Sequence, residues 1–222
     1  RSYDYVERRM AWFQTVVTAV VSNREWIDGL EVVAQVPHDG KAEEAYLKAT
    51  AQESYEQMAE ARQRLLELLH YHPHRLAYRK RTELAVEIVR QWEAEGHFPR
   101  APYAFDNGVL TRELTRLIES SGKHWVSELE VSRHIQWQGH WRRVDEVAAE
   151  LRQQHPESFR PMKVRCRNGE EKVFFAFTKG VRLKRYGRKR LVIVHERREL
   201  SDAPRFLVTD ALHWESGRVI QT

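Results

Sequence analysis

The feature that most constrains the fold is the order of amphipathic and apolar segments between residues 82 and 128. An amphipathic helix is predicted for TELAVEIVRQWEAEG, and a short apolar segment follows at residues 101–105. A second amphipathic helix is predicted for residues 109–121, and the apolar segment HWVSEL comes after it. Apolar residues at helical spacing indicate helices, and short apolar runs between turn residues indicate strands. This order of helix, strand, helix and strand predicts an α/β fold.

Asp106 follows the first of these predicted strands directly, in the run YAFDNGVLTREL. Ligands and metals bind at the carboxyl ends of strands in open α/β sheets. Because Mg²⁺ prefers carboxylate oxygens, Asp106 is a candidate catalytic residue and metal ligand. Aspartate is also a favoured N-cap, and Asn-Gly is a common turn sequence. The residues by themselves therefore leave open that Asp106 only caps the helix predicted near Val109.

Two strands and a helical segment are predicted before this region. Residues 11–22 and 29–37 are rich in β-forming side chains and predict an antiparallel hairpin. Residues 41–72 carry apolar side chains at helical spacing and predict one long helix or a pair, ended by Pro73. Thr82 is the predicted N-cap of the helix that follows.

The segment after residue 130 has a different character. A short helix is predicted for residues 143–154, followed by four strand-like segments, PMKVRC, EKVFFAFT, VRLKRYG and KRLVIVHE. The turn sequences NGEE and YGRK separate them, which predicts a small antiparallel β-unit over residues 158–198. RFLVTDAL, at residues 205–212, is predicted to return to the main sheet.

Positive charge is concentrated in this β-rich segment. Residues 160–198 hold 14 Lys and Arg against three Glu, a net charge of +11, so the rest of the chain sums to −6 within a total of +5. Such a basic region predicts a polyanion partner, and DNA phosphates are the expected contacts. Edge strands also carry Lys and Arg to block aggregation, so a solvated hairpin remains open. The predicted DNA-binding residues surround the turn at Tyr186 and Gly187: Arg182, Lys184, Arg185, Arg188, Lys189 and Arg190.

Two tryptophans and three acidic residues are further candidates. Trp137 and Trp141, in QWQGHWRR, are predicted to stack on an unpaired DNA base, with core packing as the alternative. Asp39 and Glu215 are weighed as further catalytic acids and Asp210 as a metal-adjacent carboxylate, but their neighbours favour turn, cap or loop positions.

Cysteine usage and hydropathy suggest the compartment. Cys166 is the single cysteine, which excludes an intramolecular disulfide, fits a reducing cytoplasm and favours a packed thiol over a reactive one. No apolar run approaches the length of about 18–20 residues that a membrane span needs, so no membrane partner is expected.

In its order of elements the chain resembles an insertion-sequence DDE transposase. The resemblance rests on three segments: KRTELAVEIVRQW, YAFDNGVLTRELTRLIESSGKHWVSEL and RFLVTDALHWESGRVIQT. It implies a ribonuclease H-like mixed sheet flanked by helices, with a basic antiparallel β-insertion. The implied domains are residues 1–129 as a partial core with a helical insertion at 41–72, residues 130–200 as the β-rich insertion, and residues 201–222 as the return to the core.

The resemblance also implies a function, DNA transposition by metal-dependent strand cleavage and transfer. Asp106 matches the second of three catalytic acids, whereas the first is expected upstream of Arg1 and the last beyond Thr222. The chain is therefore expected to be an internal piece, inactive by itself. The resemblance implies Mg²⁺ or Mn²⁺ as the cofactor and double-stranded DNA, from transposon ends and target, as the partner. It also implies a homodimer on DNA and a nucleoid-associated location in a prokaryotic cytoplasm. A ribonuclease H-like nuclease without strand transfer and a non-catalytic DNA-binding remnant remain alternatives.

Overall fold

The structure is a computed structural model, and the chain divides into two compact units. One unit comprises Arg1–Val20 and Gly29–Leu84, and the other comprises Val21–Asp28 and Ala85–Thr222. The structure describes residues 2–4, 9–11, 16–22, 27–34, 63, 79–96, 98–165 and 169–222.

The first strands form two small sheets. Strand β1 (Ser2–Asp4) pairs antiparallel with β2 (Arg9–Ala11). Strands β3 (Val16–Ser22) and β4 (Ile27–Ala34) form a second two-stranded sheet, so the predicted strand pair is present. Residues 12–15 and 35–37 of the prediction lie outside the described residues. Of the predicted helical segment at 41–72, only Gln63 is among the described residues, and it is helical. Asp39, Pro73 and Cys166 lie outside them.

Eight strands form one large mixed sheet. Its order is β5-β6-β12-β11-β10-β7-β8, and β9 pairs with the first half of β10. Only β5 and β6 are parallel among the described pairs of this sheet, and the others are antiparallel. The strands are β5 (Tyr103–Phe105), β6 (Trp125–Glu128), β7 (His134–Trp137), β8 (His140–Arg143), β9 (Arg160–Arg165), β10 (Glu171–Leu183), β11 (Gly187–His195) and β12 (Arg205–Thr209).

Strand β10 differs from the prediction, because EKVFFAFT and VRLKRYG do not form separate strands. EKVFFAFT and the first three residues of VRLKRYG lie in one strand of 13 residues. Gly180 lies between the two segments, and glycine weakens a strand interior. It nevertheless stays extended opposite Arg190, because β11 pairs with β10 continuously from Phe175↔His195 to Leu183↔Gly187.

Helices precede, connect and follow these strands along the chain. They are α1 (Arg81–Glu95), α2 (Arg112–Ser120), α3 (Val144–Gln154) and α4 (Ser216–Gln221), with a 3₁₀ turn at Pro156–Ser158. The prediction for residues 143–154 is confirmed. The predicted cap at Thr82 is wrong, because α1 already begins at Arg81 and the backbone N–H of Lys80 donates to the Glu83 carboxylate at 2.8 Å. In the described part of the chain, no helix combines the length and the apolar character of a membrane span.

Strand β11 shows that the sheet is covered on both faces. Val192 and Val194 pack in one buried cluster with Trp214 and with Val219 of α4. Because side chains alternate along a strand, Leu191, Ile193 and His195 point to the opposite face, and they are fully or nearly fully buried as well. A continuous apolar run is typical of such a strand. The protein therefore has a mixed α/β fold with a large mixed sheet flanked by helices.

Strand β12 joins the basic segment to the rest of the sheet. It pairs antiparallel with β6 on one side, from Leu207↔Glu128 to Thr209↔Val126, and with β11 on the other. The predicted return of residues 205–212 to the main sheet is thus confirmed. Strands β10 and β11 are consequently hydrogen-bonded into the same sheet as β5, the strand that carries Asp106.

Candidate functional site

Asp106 lies exposed at the carboxyl end of β5, where that strand runs parallel to β6. Its Oδ1 accepts the backbone N–H of Gly108 at 2.9 Å, which closes the turn after the strand. Helix α2 begins only at Arg112, and its N-cap is Thr111, whose hydroxyl accepts the Leu114 N–H at 3.2 Å. Asp106 is therefore a turn residue and not the helix cap. Within the described part of the chain, its Oδ2 has no hydrogen-bond partner.

Buried contacts with β6 fix the backbone of Asp106. The Ser127 hydroxyl, on a residue 1% exposed, lies 3.3 Å from the Asp106 carbonyl and 2.8 Å from the Glu128 carbonyl. The Glu128 carboxylate at the end of β6 is already engaged, because its Oε1 accepts two hydrogen bonds from Arg205 at 3.1 and 2.7 Å. The carboxylate of Asp106 is thus held in place but open to an additional partner.

Asp106 has the chemistry of a Mg²⁺ ligand but does not make a metal site by itself. Mg²⁺ takes hard oxygen ligands, and it is bound through one or two carboxylates together with waters and substrate phosphates. The exposed and positionally fixed carboxylate fits one such ligand. Among the described residues, no group of three or more His, Cys, Asp or Glu side chains is arranged to hold a metal ion.

The six basic residues predicted around the hairpin have different environments. Arg182, Lys184, Arg185 and Arg188 are exposed. Lys189 is only 7% exposed, and its Nζ lies 3.1 Å from Glu119 Oε1. Arg190 is half-buried, and its guanidinium donates to the Leu212 carbonyl, with Nε at 3.0 Å. Lys189 and Arg190 therefore make internal contacts instead of forming part of the basic surface.

Strand alternation places two of the exposed arginines opposite each other. Arg182 and Arg188 are register partners on β10 and β11, on the face away from Lys189. Like charges directly across a strand pair are destabilising. Neither guanidinium has an acidic partner within the described residues. The Arg188 side chain lies over Gly180, with its Nε 3.9 Å from the position of a Cβ there.

The hairpin tip, residues 184–187, contacts the segment that follows Asp106. The tip turns sharply, because Arg185 and Gly187 both adopt positive φ angles of 75° and 77°. The Tyr186 hydroxyl donates to the Leu110 carbonyl at 3.2 Å. The basic tip and the loop from Asp106 to α2 are therefore neighbours.

A cleft of about 250 Å³ lies between α2 and the hairpin tip. We call it the arginine cleft, and its principal lining residues are Arg112, Thr115, Arg116, Glu119, Arg185 and Tyr186. The four α2 residues share one helix face, because they are spaced at three and four positions. Arg112 and Arg116 were not among the residues predicted from the sequence, although their i, i+4 spacing soon after Asp106 was a visible signal.

The two tryptophans proposed for base stacking differ in exposure. Trp137 is 6% exposed and packs edge-on against Phe177 at 6.0 Å, with Lys179 Nζ 4.2 Å from its ring centre. These contacts support the packing alternative for Trp137. Trp141 is 48% exposed on β8 at the edge of the sheet, so it remains accessible to a partner.

Asp210 and Glu215 have structural surroundings. Asp210 Oδ2 lies 2.7 Å from His124 Nδ1, and its Oδ1 accepts the Trp125 N–H at 2.9 Å. This contact is at the start of β6, the opposite end from Asp106. Glu215 occupies the N-cap position of α4.

A buried polar cluster holds the beginning of β5. The Tyr103 hydroxyl donates to Glu93 Oε1, and Lys123 Nζ lies 2.6 Å from the same oxygen. Burial, followed by the hydrogen bond and charge of Glu93, raises the pKa of Tyr103 well above its usual range. These contacts anchor β5 to the end of α1 and so help to position the strand that ends at Asp106.

Comparison of the chain with protein families, with curated proteins and with solved structures gave no match. The functional conclusion therefore depends on the chemistry of this site.

Proposed function

We propose that this protein acts in DNA transposition, through metal-dependent cleavage and transfer of DNA strands, and that its fold is ribonuclease H-like. The observation that carries the proposal is the hydrogen bond between Tyr186 and the Leu110 carbonyl at 3.2 Å. It joins the loop of an exposed strand-end carboxylate, Asp106, to a basic hairpin tip. Phosphodiester chemistry needs both features, since cations hold the backbone while carboxylates hold the metal ions. The parallel β5–α2–β6 unit supports the proposed fold.

In this proposal, Asp106 would supply one ligand to Mg²⁺ or Mn²⁺. The Gly108 N–H orients one carboxylate oxygen, and the other would be available to bind the metal. Ser127 fixes the backbone from which the carboxylate projects. The bound metal would stabilise the attacking and leaving oxygens of the scissile phosphate. The proposal requires at least one further carboxylate, which is expected outside the described residues.

The exposed basic residues of the hairpin would hold the DNA backbone. Arg182 and Arg188 face each other without an acidic partner in the described part of the chain, an arrangement that a bound phosphate would stabilise. Lys184 and Arg185 extend the positive charge around the tip. Such contacts position DNA without reading its sequence. Two copies of the protein would hold paired transposon ends before transfer to target DNA.

The proposal is tested by strand cleavage and joining on labelled transposon-end DNA, with the full-length protein and Mg²⁺ or Mn²⁺. Asp106→Asn removes the charge and keeps the size, and Asp145→Asn on α3 is the matched control. We expect Asp106→Asn to lower cleavage at least about a hundredfold, because even changes beside metal ligands cost about 10–100-fold. DNA binding should persist.

Each other result contradicts the proposal in a specific way. Cleavage without joining would identify a nuclease that does not transfer strands. Equal cleavage by the wild type and Asp106→Asn would remove Asp106 from the metal site. DNA binding without cleavage by any variant, with the folded protein and the correct end sequence, would identify a non-catalytic DNA-binding protein.

A further inference from the structure

We propose that the arginine cleft is a phosphate subsite, in which Arg112, Arg116 and Arg185 hold a phosphodiester of the DNA backbone. The inference rests on the proposed function in its choice of DNA as the polyanion. Arg112 and Arg116 come from α2, whereas Arg185 comes from the tip of the β10–β11 hairpin. Cations from two separate elements thus converge on one cavity.

The three guanidinium groups are available for an external anion. All three residues are exposed, and none of their guanidinium groups makes a hydrogen bond or an ion pair within the described residues. The nearest acid along α2, Glu113, is directed to Arg90 of α1, at 3.8 Å. Arginine presents a planar array of donors that matches the oxygens of a phosphate.

Glu119 would weaken such a site if its charge were free, but it is already engaged. Its Oε1 lies 3.1 Å from Lys189 Nζ and accepts the Trp125 indole N–H at 2.9 Å. Lys189 approaches from the buried side, and its Nζ also lies 5.8 Å from the centre of the Trp125 ring. The buried lysine therefore compensates the one acid of the cleft, and the three arginines leave a net positive charge of about three.

The position of the cleft fits a backbone phosphate near the Asp106 loop. Tyr186 lines the cleft and also donates its hydroxyl to Leu110, in the segment between Asp106 and α2. A strand that enters the cleft would therefore pass close to this loop. Arg182 and Arg188 lie on the other face of the hairpin, so they would contact a different part of the duplex.

The test is a salt titration of DNA binding without divalent metal, so that it does not depend on cleavage. The probe is a fluorescein-labelled duplex of about 30 base pairs, followed by anisotropy. The variant is Arg112→Gln with Arg116→Gln, and the control with the same charge change is Arg197→Gln with Arg198→Gln. Arg197 and Arg198 are exposed and follow the far end of β11, about 30 Å from the tip at 3.3 Å per residue. Glutamine retains helix propensity, and circular dichroism verifies folding.

We expect the cleft variant to bind at least about tenfold more weakly at low salt. The slope of log K against log salt should fall by about one, because the cleft is proposed to hold one phosphate and each phosphate contact contributes about 0.9. The Arg116→Lys variant should keep most of the wild-type slope, because lysine keeps the positive charge. The distant control should retain the wild-type slope within about 0.5.

Three results would overturn the inference. Equal binding by the wild type and the cleft variant would mean that no DNA phosphate occupies the cleft. An equal loss in the distant control would mean that only net charge matters. If inorganic phosphate raises the melting temperature of the wild type but not of the cleft variant, while both bind DNA alike, the cleft holds free phosphate instead of DNA. A slope change together with no cleavage would leave the subsite in place and refute the proposed function alone.

Discussion

Replacing Lys189 with methionine is expected to destabilise the fold through Glu119. The substitution removes the ammonium group 3.1 Å from Glu119 Oε1 and retains an unbranched stem that can pack beside Trp125. The Lys189 side chain is 9% exposed and the Glu119 side chain 35% exposed. Exposed pairs contribute about 0–1 kcal/mol, whereas breaking a buried pair costs about 3–5 kcal/mol. The burial of this pair is intermediate, and Glu119 keeps its hydrogen bond from the Trp125 indole N–H. We therefore expect the free energy of unfolding to fall by about 1–3 kcal/mol.

A double-mutant cycle separates this charge effect from packing. Glu119→Gln removes the carboxylate charge but keeps an oxygen that can accept the Trp125 indole N–H. Lys189→Met should therefore cost much less in the Glu119→Gln background, with a coupling energy of about 1–2 kcal/mol. Urea unfolding measures this difference. At about 2 kcal/mol per molar urea, the coupling corresponds to a midpoint shift of about 0.5–1 M.

The cycle also bears on DNA binding. In Lys189→Met the Glu119 charge is uncompensated inside the arginine cleft, so duplex affinity should fall, and the double variant should recover it. A coupling energy below about 0.3 kcal/mol, within the usual error of additivity, would refute the reasoning. It would mean that the ion pair contributes nothing and that Lys189 acts through packing.

Two further predictions concern pH. Burial by itself would raise the pKa of Asp202, but backbone N–H groups, two of them at 2.8 and 3.2 Å, lower it overall together with the nearby His195. A folded-state pKa below the unfolded value stabilises the protein above about pH 4, and this is lost as the pH falls. Asp202→Asn should therefore flatten the acid side of the stability profile measured by urea unfolding, and an unchanged acid side would contradict this. The raised pKa of Tyr103 gives stability that is present below about pH 10 and lost as the pH rises. The melting temperature of Tyr103→Phe should therefore fall less than that of the wild type between about pH 10 and 12. If the variant loses as much melting temperature as the wild type over this range, the Glu93 contact does not stabilise the protein.

Several elements could be predicted from the sequence because their signals are local. The apolar spacing within residues 143–154 was sufficient for α3, and the apolar runs were sufficient for β6 and β12. The position of Asp106 at a strand end followed from the same kind of pattern. Local patterns were weaker at boundaries. The cap of α2 is Thr111 because its hydroxyl reaches the Leu114 N–H, a geometry that the aspartate five residues earlier cannot share.

The distribution of the basic residues was decided by tertiary structure. The sequence gives the alternation of side chains along β10 and β11, so it assigns Lys189 and Arg188 to opposite faces. It does not say which face another element covers. Helix α2 packs on the Lys189 side and brings Glu119 to it, so that lysine is buried while Arg188 stays exposed. The same packing sets Arg112 and Arg116 beside Arg185, because a cleft between residues about 70 positions apart forms only when the chain has folded.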